Sequence, residues 1–170
     1  MFGFGFFFAK NNLTMIQRIQ TIFLFLVVVC MGITLGTELW EQNMNGQTWK
    51  LNALFLENLD ASGEVISSDS KWYLAALAAF AGLLALISIF QYKNRGRQMM
   101  INMVNSLFMV ALVALTFLTT NGLNSELGSE VAGSYKIGFW AVLAGMVFNM
   151  LANRFIRKDE MLVRSVDRIR

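Results

Sequence analysis

The chain contains no histidine, no proline and a single cysteine in 170 residues. The lack of histidine excludes His-ligated haem, His-bearing zinc sites and Ser-His or Cys-His catalytic pairs. One cysteine cannot form a disulfide bond within the chain. Without proline, no helix is bent by a prolyl ring. No phosphate-binding glycine loop or nucleophile elbow occurs either. We therefore predict no catalytic residue, no metal and no cofactor, and a protein that is not an enzyme.

Charge is scarce as well, at 15% of residues against about 25% in an average soluble domain. Hydrophobic residues make up 56% of the chain, and the mean hydropathy is +0.52. The apolar residues are gathered into four runs, each close to the roughly 20 residues that cross a bilayer as a helix. These runs span 19–36, 72–92, 99–120 and 135–152. We predict an all-α integral membrane protein, with a four-helix transmembrane domain over 15–152.

The distribution of basic residues predicts how this domain is oriented. Eleven of the 14 lysines and arginines precede the first run, separate the second from the third, or follow the fourth. The other two connections carry eight of the 11 acidic residues. Because cytoplasmic loops are enriched in Lys and Arg, both termini are predicted to face the cytoplasm, and the two acidic connections are predicted to face outward. The same rule explains the basic pI of about 9.2 without a nucleic-acid partner.

The first outer loop, 37–71, is too long for a simple connection and shows strand patterns. Glu38–Glu41 and Thr48–Phe55 alternate around Asn45-Gly46, a strong hairpin signal, and Glu64–Ser67 could add a third strand. We predict a small antiparallel β element here. Its two tryptophans are either an exposed platform for a ligand or partner, or groups that pack on the helices. They are Trp40 and Trp49.

The two ends of the chain differ from its apolar middle. Residues 1–14, with phenylalanines interleaved with glycine, are predicted to be an extraneous or disordered extension. Residues 153–170 have apolar side chains at helical spacing among many basic ones, which predicts a basic amphipathic cytoplasmic helix. Basic residues near the inner surface are candidates for contact with a partner or with lipid. They are Arg18, Lys93, Arg95, Arg97, Arg154, Arg157, Lys158, Arg164 and Arg168.

The apolar runs contain no ionisable residue in their interiors, only a few polar ones. Asn102 and Asn105 would share a helix face, as would Asn149 and Asn153. Such side chains either form hydrogen bonds between helices or line a polar pathway. Small residues at four-residue spacing, such as Ala141 and Gly145, permit close helix approach.

Two segments resemble a known family. They are Met15–Thr21, which leads into the first run, and the tail Leu151-Ala152-Asn153-Arg154-Phe155-Ile156-Arg157-Lys158-Asp159-Glu160, with Leu162–Ser165 and Asp167-Arg168 after it. Together they resemble the domain-of-unknown-function 4293 family of four-helix inner-membrane proteins from Bacteroidota. The resemblance implies this architecture and compartment. It implies no activity and no catalytic residue.

The sequence thus predicts a non-enzymatic inner-membrane protein, an accessory or assembly subunit of a larger membrane complex. The alternative is a small transporter or channel component with a polar pathway between its helices. Expected partners are the lipid bilayer and either another membrane protein or further copies of the chain. No nucleic acid is expected.

Overall fold

The computed structural model describes the backbone of residues 4–92, 94–128 and 132–167, and the side chains of 19–92, 94–128 and 132–161. The described residues form four helices and five strands. In chain order these are α1 (Phe4–Gly36), β1 (Trp40–Met44), β2 (Gln47–Leu51), β3 (Phe55–Leu59), β4 (Val65–Ser70), α2 (Trp72–Phe90), α3 (Arg95–Glu126), β5 (Ser134–Tyr135) and α4 (Ile137–Asp167).

Each of the four helices contains a segment that is long and apolar enough to cross a membrane. These candidate spans are Ile19–Gly36, Trp72–Phe90, Arg95–Glu126 and Ile137–Met161. They match the four predicted runs, and their composition is that of a multi-pass membrane protein. Three helices are longer than the runs that predicted them, because the residues before the run in α1 and polar residues at the flanks of α3 and α4 are helical as well.

The prediction of an all-α class is wrong, because the strands pair into a five-stranded antiparallel sheet of order β4-β3-β2-β1-β5. Asn45 and Gly46 both have positive φ, 54° and 76°, as a two-residue hairpin between β1 and β2 requires. The predicted strand Thr48–Phe55 is two strands, since Asn52 Oδ1 accepts hydrogen bonds from the Leu54 and Phe55 amides and turns the chain.

The fifth strand, β5, comes from the connection between α3 and α4, where the sequence analysis predicted no strand. Trp40 pairs with Tyr135, and Glu41 pairs with Ser134. Gly133 permits this contact, because a Cβ there would lie 2.5 Å from the Trp40 ring. The last strand of the sheet is therefore added by a pairing between residues more than 90 positions apart, which no local sequence pattern encodes.

The sheet continues directly into the helices at one end of the bundle, called here the sheet end. Leu39 donates its amide to the Leu51 carbonyl at 2.7 Å and accepts from the Lys136 amide at 2.9 Å. Leu39, Trp40 and Leu51 are buried in one core with residues of all four helices. The opposite end, where α2 ends and α3 begins, carries arginines and is called the basic end.

Helix packing inside the bundle uses small residues and aromatic rings. Gly82 of α2 and Gly145 of α4 both face Met31 of α1. The Phe23 ring stacks on Phe155, with ring centroids 5.5 Å apart. Since α1 and α4 run in opposite directions, these contacts fix their register.

The predicted tail helix is continuous with α4, which runs unbroken to Asp167. The prediction about residues 1–14 stays a prediction. The backbone is helical from Phe4, and residues 1–3 lie outside the described residues.

Candidate functional site

The basic end contains a buried ion pair. Asp159 of α4 has a fully buried side chain, and its Oδ2 lies 2.6 Å from Nη1 of Arg95 at the start of α3. The Arg95 side chain is 17% exposed. A charge removed from water is tolerated only when it is paired. This contact therefore fixes the first turn of α3 against α4.

Local sequence explains why the two groups meet. The Asn94 side chain accepts a hydrogen bond from the Arg97 amide at 3.2 Å, which caps α3 and makes Arg95 its first residue. On α4, Ala152, Ile156 and Asp159 are all fully buried. Their spacing of four and three residues places them on one face of the helix. Asp159 thus occupies a position of the core-facing stripe.

A layer of buried polar side chains lies next to this pair, between α2, α3 and α4. We call it the polar layer, and it comprises Ser88, Gln98, Asn102, Asn105, Ser106 and Asn149. Asn149 Nδ2 donates to the Asn102 carbonyl and to Ser106 Oγ, both at 2.8 Å. Gln98 Nε2 donates to the Ser88 carbonyl at 2.9 Å. Of the four asparagines predicted to form polar helix faces, Asn149 is therefore the one whose side chain forms hydrogen bonds between described helices.

Some groups of the polar layer have no hydrogen-bond partner among the described residues. Asn102 and Asn105 are fully buried, yet neither the nitrogen nor the oxygen of either side-chain amide is bonded there. Such groups lose hydration without compensation, which costs about 1–3 kcal/mol per group. Hydrogen bonding between helices accounts for the side-chain nitrogen of Asn149, but it leaves these two amides and the Asn149 oxygen unexplained.

Beside the polar layer a groove of about 600 Å³ runs between α3 and α4. We call it the methionine groove. It is lined by Gly96, Met99, Met100, Met103, Met150, Asn153, Arg154 and Arg157. Its polar lining comes from α4 near the basic end.

The basic residues that the sequence had singled out have different environments. Arg97, Arg154, Arg157 and Lys158 are exposed and form no ion pair with another described residue. Arg95 is instead committed to Asp159. The side chains of the others, Arg18, Lys93, Arg164 and Arg168, lie outside the described residues.

The two outer tryptophans pack rather than stand free. Trp40 is 1% exposed and belongs to the core, so its ring cannot serve as an exposed platform. Trp49 is half-buried and packs against the same core. Of the two interpretations of these residues, packing on the helices is the one that the geometry favours.

Two of the three lysines of the sheet end, Lys136 and Lys50, are neutralised by acidic neighbours. Lys136 Nζ lies 2.9 Å from Glu41 Oε2, and Lys50 Nζ lies 2.8 Å from Glu38 Oε1. The hydrogen bond from Lys136 holds the pKa of Glu41 below its usual value. The hydrogen bond to Glu38 raises the pKa of Lys50. Among the described residues, arginines without an acidic partner thus lie at the basic end.

Sequence reasoning missed Asp159, which lies in the tail that was predicted to be a basic amphipathic helix. The signal was present in the spacing of Ala152, Ile156 and Asp159. It was obscured by the exposed Arg157 and Lys158 between them. Within the part of the chain that the structure describes, no group of three or more His, Cys, Asp or Glu side chains could hold a metal.

Comparison with known proteins agrees with the resemblance seen at both ends of the chain. The family model described as domain of unknown function (DUF4293) matches residues 16–169. No curated protein matches the chain. The family match covers nearly the whole sequence and includes all four helices and the sheet, so the chain belongs to the DUF4293 family.

Proposed function

We propose that this protein is a non-enzymatic, multi-pass protein of the bacterial cytoplasmic membrane that serves as an accessory or assembly subunit of a larger membrane complex. The observation that carries the proposal is the buried pair of Arg95 and Asp159. It fixes α4 against the start of α3 at the basic end, and the helix continues beyond the pair to Asp167.

A buried ion pair adds little net stability to a fold, because well-packed apolar residues in its place usually stabilise the fold equally or more. Its best-supported use is to specify one arrangement of elements. Here that arrangement is the packing of α4 on the start of α3, and α4 continues beyond the pair as a single helix. We infer that the tail 162–170, with Arg164 and Arg168, is thereby presented to a partner subunit.

The proposed orientation places the basic end in the cytoplasm and the sheet outside. The unpaired arginines of the basic end and the neutralised lysines of the sheet end support it. In a Cys30→Ala background, a membrane-impermeant maleimide should label Ser62→Cys in intact cells, and Arg97→Cys only after permeabilisation. The reverse pattern would overturn the orientation.

The decisive experiment is purification in mild detergent at native expression level, with a tag joined after Arg170 by a flexible linker. We expect mass spectrometry to find a stoichiometric membrane-protein partner. The double variant Arg164→Glu/Arg168→Glu should lose it while keeping the thermal unfolding of the wild type. Lys71→Glu, at the sheet end, is the control that should keep it. A chain that emerges alone, or only with its own copies, would exclude an accessory role.

The unbonded amides of Asn102 and Asn105 favour a second candidate, a small transporter or channel component. In a polar pathway, the buried polar groups that contact the substrate have no protein partner while no substrate is bound. Proteoliposomes containing the protein should then swell in glycerol faster than empty vesicles, and Asn105→Leu should abolish the difference. Swelling at the rate of empty vesicles would argue against a conduit for small neutral solutes.

A further inference from the structure

The methionine groove has its apolar and basic parts in a definite order along the helices. Gly96 is at the basic end of α3, and Met103 lies seven residues deeper, about 10 Å at 1.5 Å per residue. On the antiparallel α4, Arg157 is at the basic end and Met150 lies the same distance deeper. The groove is therefore apolar in its deep half and cationic at its mouth.

The deep half is open to the outside of the bundle rather than to the core. Met100, Met103 and Met150 are 71%, 63% and 66% exposed. In a membrane-spanning bundle these side chains face acyl chains. Methionine is flexible and polarisable, so it adapts to irregular apolar partners.

The mouth carries two guanidinium groups on one face of α4. Arg154 and Arg157 are three residues apart, which makes them neighbours on the helix surface. Neither forms an ion pair with a described residue. Guanidinium groups recognise phosphate oxygens through paired, charge-assisted hydrogen bonds. The Asn153 side-chain oxygen, buried and unbonded among the described residues, adds an acceptor for a hydroxyl group.

We propose that the methionine groove is a binding site for one anionic glycerophospholipid of the leaflet at the basic end. The phosphate contacts Arg154 and Arg157, and an acyl chain lies along Met100, Met103 and Met150. The order of chemistry along the groove is the order along such a lipid: chain in the apolar half, anionic head at the mouth. This inference concerns a lipid rather than a partner protein, so it stands apart from the accessory role.

The test is native mass spectrometry of the full chain in detergent micelles supplemented with equal amounts of phosphatidylglycerol and phosphatidylcholine that carry the same acyl chains. We expect one phosphatidylglycerol to stay bound. Arg154→Gln/Arg157→Gln should reduce its retention by at least about tenfold, since a hydrogen bond to a charged group contributes roughly one factor of ten or more. Arg97→Gln is the matched control, because it removes an exposed arginine of the same end that does not line the groove.

A second variant keeps every charge and tests the groove itself. A Cβ at Gly96 would meet only the Asn94 side chain, at 3.7 Å, so Gly96→Leu should fold and fill part of the mouth. It should lower lipid retention as well. Three results would overturn the proposal. They are a loss of bound phosphatidylglycerol in Arg97→Gln as large as in the double variant, equal retention of the two lipids by the wild type, and unchanged retention in both groove variants. Thermal unfolding of each variant separates loss of lipid from loss of fold.

Discussion

Asp159 and Arg95 form a pair whose two members are unequally buried. The carboxylate is fully buried, whereas the guanidinium side chain is 17% exposed. Both belong to helices that start or continue at the basic end, and their charged atoms lie 2.6 Å apart. The buried carboxylate of Asp159 therefore needs its partner more than the partly exposed guanidinium of Arg95 does.

Removing the arginine should be more damaging than removing the carboxylate. Arg95→Leu leaves Asp159 buried without a partner and should cost about 3 kcal/mol of unfolding free energy. Asp159→Asn leaves an arginine that can extend its long side chain toward water, and should cost about 1 kcal/mol. Chemical unfolding in mild detergent measures both.

The double variant Arg95→Leu/Asp159→Leu distinguishes pairing from mere packing. Because no buried charge is left, it should be more stable than Arg95→Leu alone. Arg97→Leu, which removes an exposed arginine two residues away, should change stability by less than about 0.5 kcal/mol. If the three single variants cost the same, the pair does not contribute as argued.

The sequence predicted the candidate spans well, because long apolar runs and the lack of internal charge are local signals. It placed helix ends less well, since polarity marks where a bilayer ends rather than where a helix ends. The α4 helix shows this, continuing from the predicted run through Asp159 to Asp167. The pairing of Trp40 with Tyr135 could not be predicted, because β5 has only two residues and shows no strand pattern of its own.

Close approach of α4 to the end of α1 predicts that Gly138 tolerates no side chain. A Cβ there would lie 2.8 Å from the Glu38 carbonyl oxygen and 3.0 Å from Thr37 Oγ1. Gly138→Ala should therefore lower the unfolding free energy by about 1–3 kcal/mol, as overpacking does. The matched control is Gly122→Ala, also in a helix but with nothing within 4 Å. It should be neutral or stabilising by up to about 1 kcal/mol. If the two substitutions change the unfolding free energy equally, helix propensity rather than crowding determines the effect at Gly138.

The link between Glu41 and Lys136 predicts an acid-sensitive part of the sheet end. The hydrogen bond from Lys136 lowers the pKa of Glu41 from its usual 4.5 in the folded chain. A depressed carboxyl pKa stabilises the fold above the unfolded value, and this contribution is lost as pH falls through the folded value. Both side chains are partly exposed, so it should amount to less than about 1 kcal/mol. Thermal unfolding of wild type and Lys136→Gln should differ at pH 6 and converge below pH 4.5. A difference that persists at lower pH would exclude this cause.

Two asparagines of the polar layer should respond to leucine in opposite ways. Asn149 donates two hydrogen bonds across helices, so Asn149→Leu should cost about 1–2 kcal/mol, at roughly 0.6 kcal/mol or more per bond. Asn105 is equally buried, but its amide has no bond among the described residues. Asn105→Leu removes an uncompensated polar group and should leave stability unchanged or raise it. Unfolding in detergent gives both values. If Asn105→Leu is instead as destabilising as Asn149→Leu, its amide has a bonding partner in the folded protein. A variant that gains stability while losing glycerol permeation would mark Asn105 as a residue kept for function.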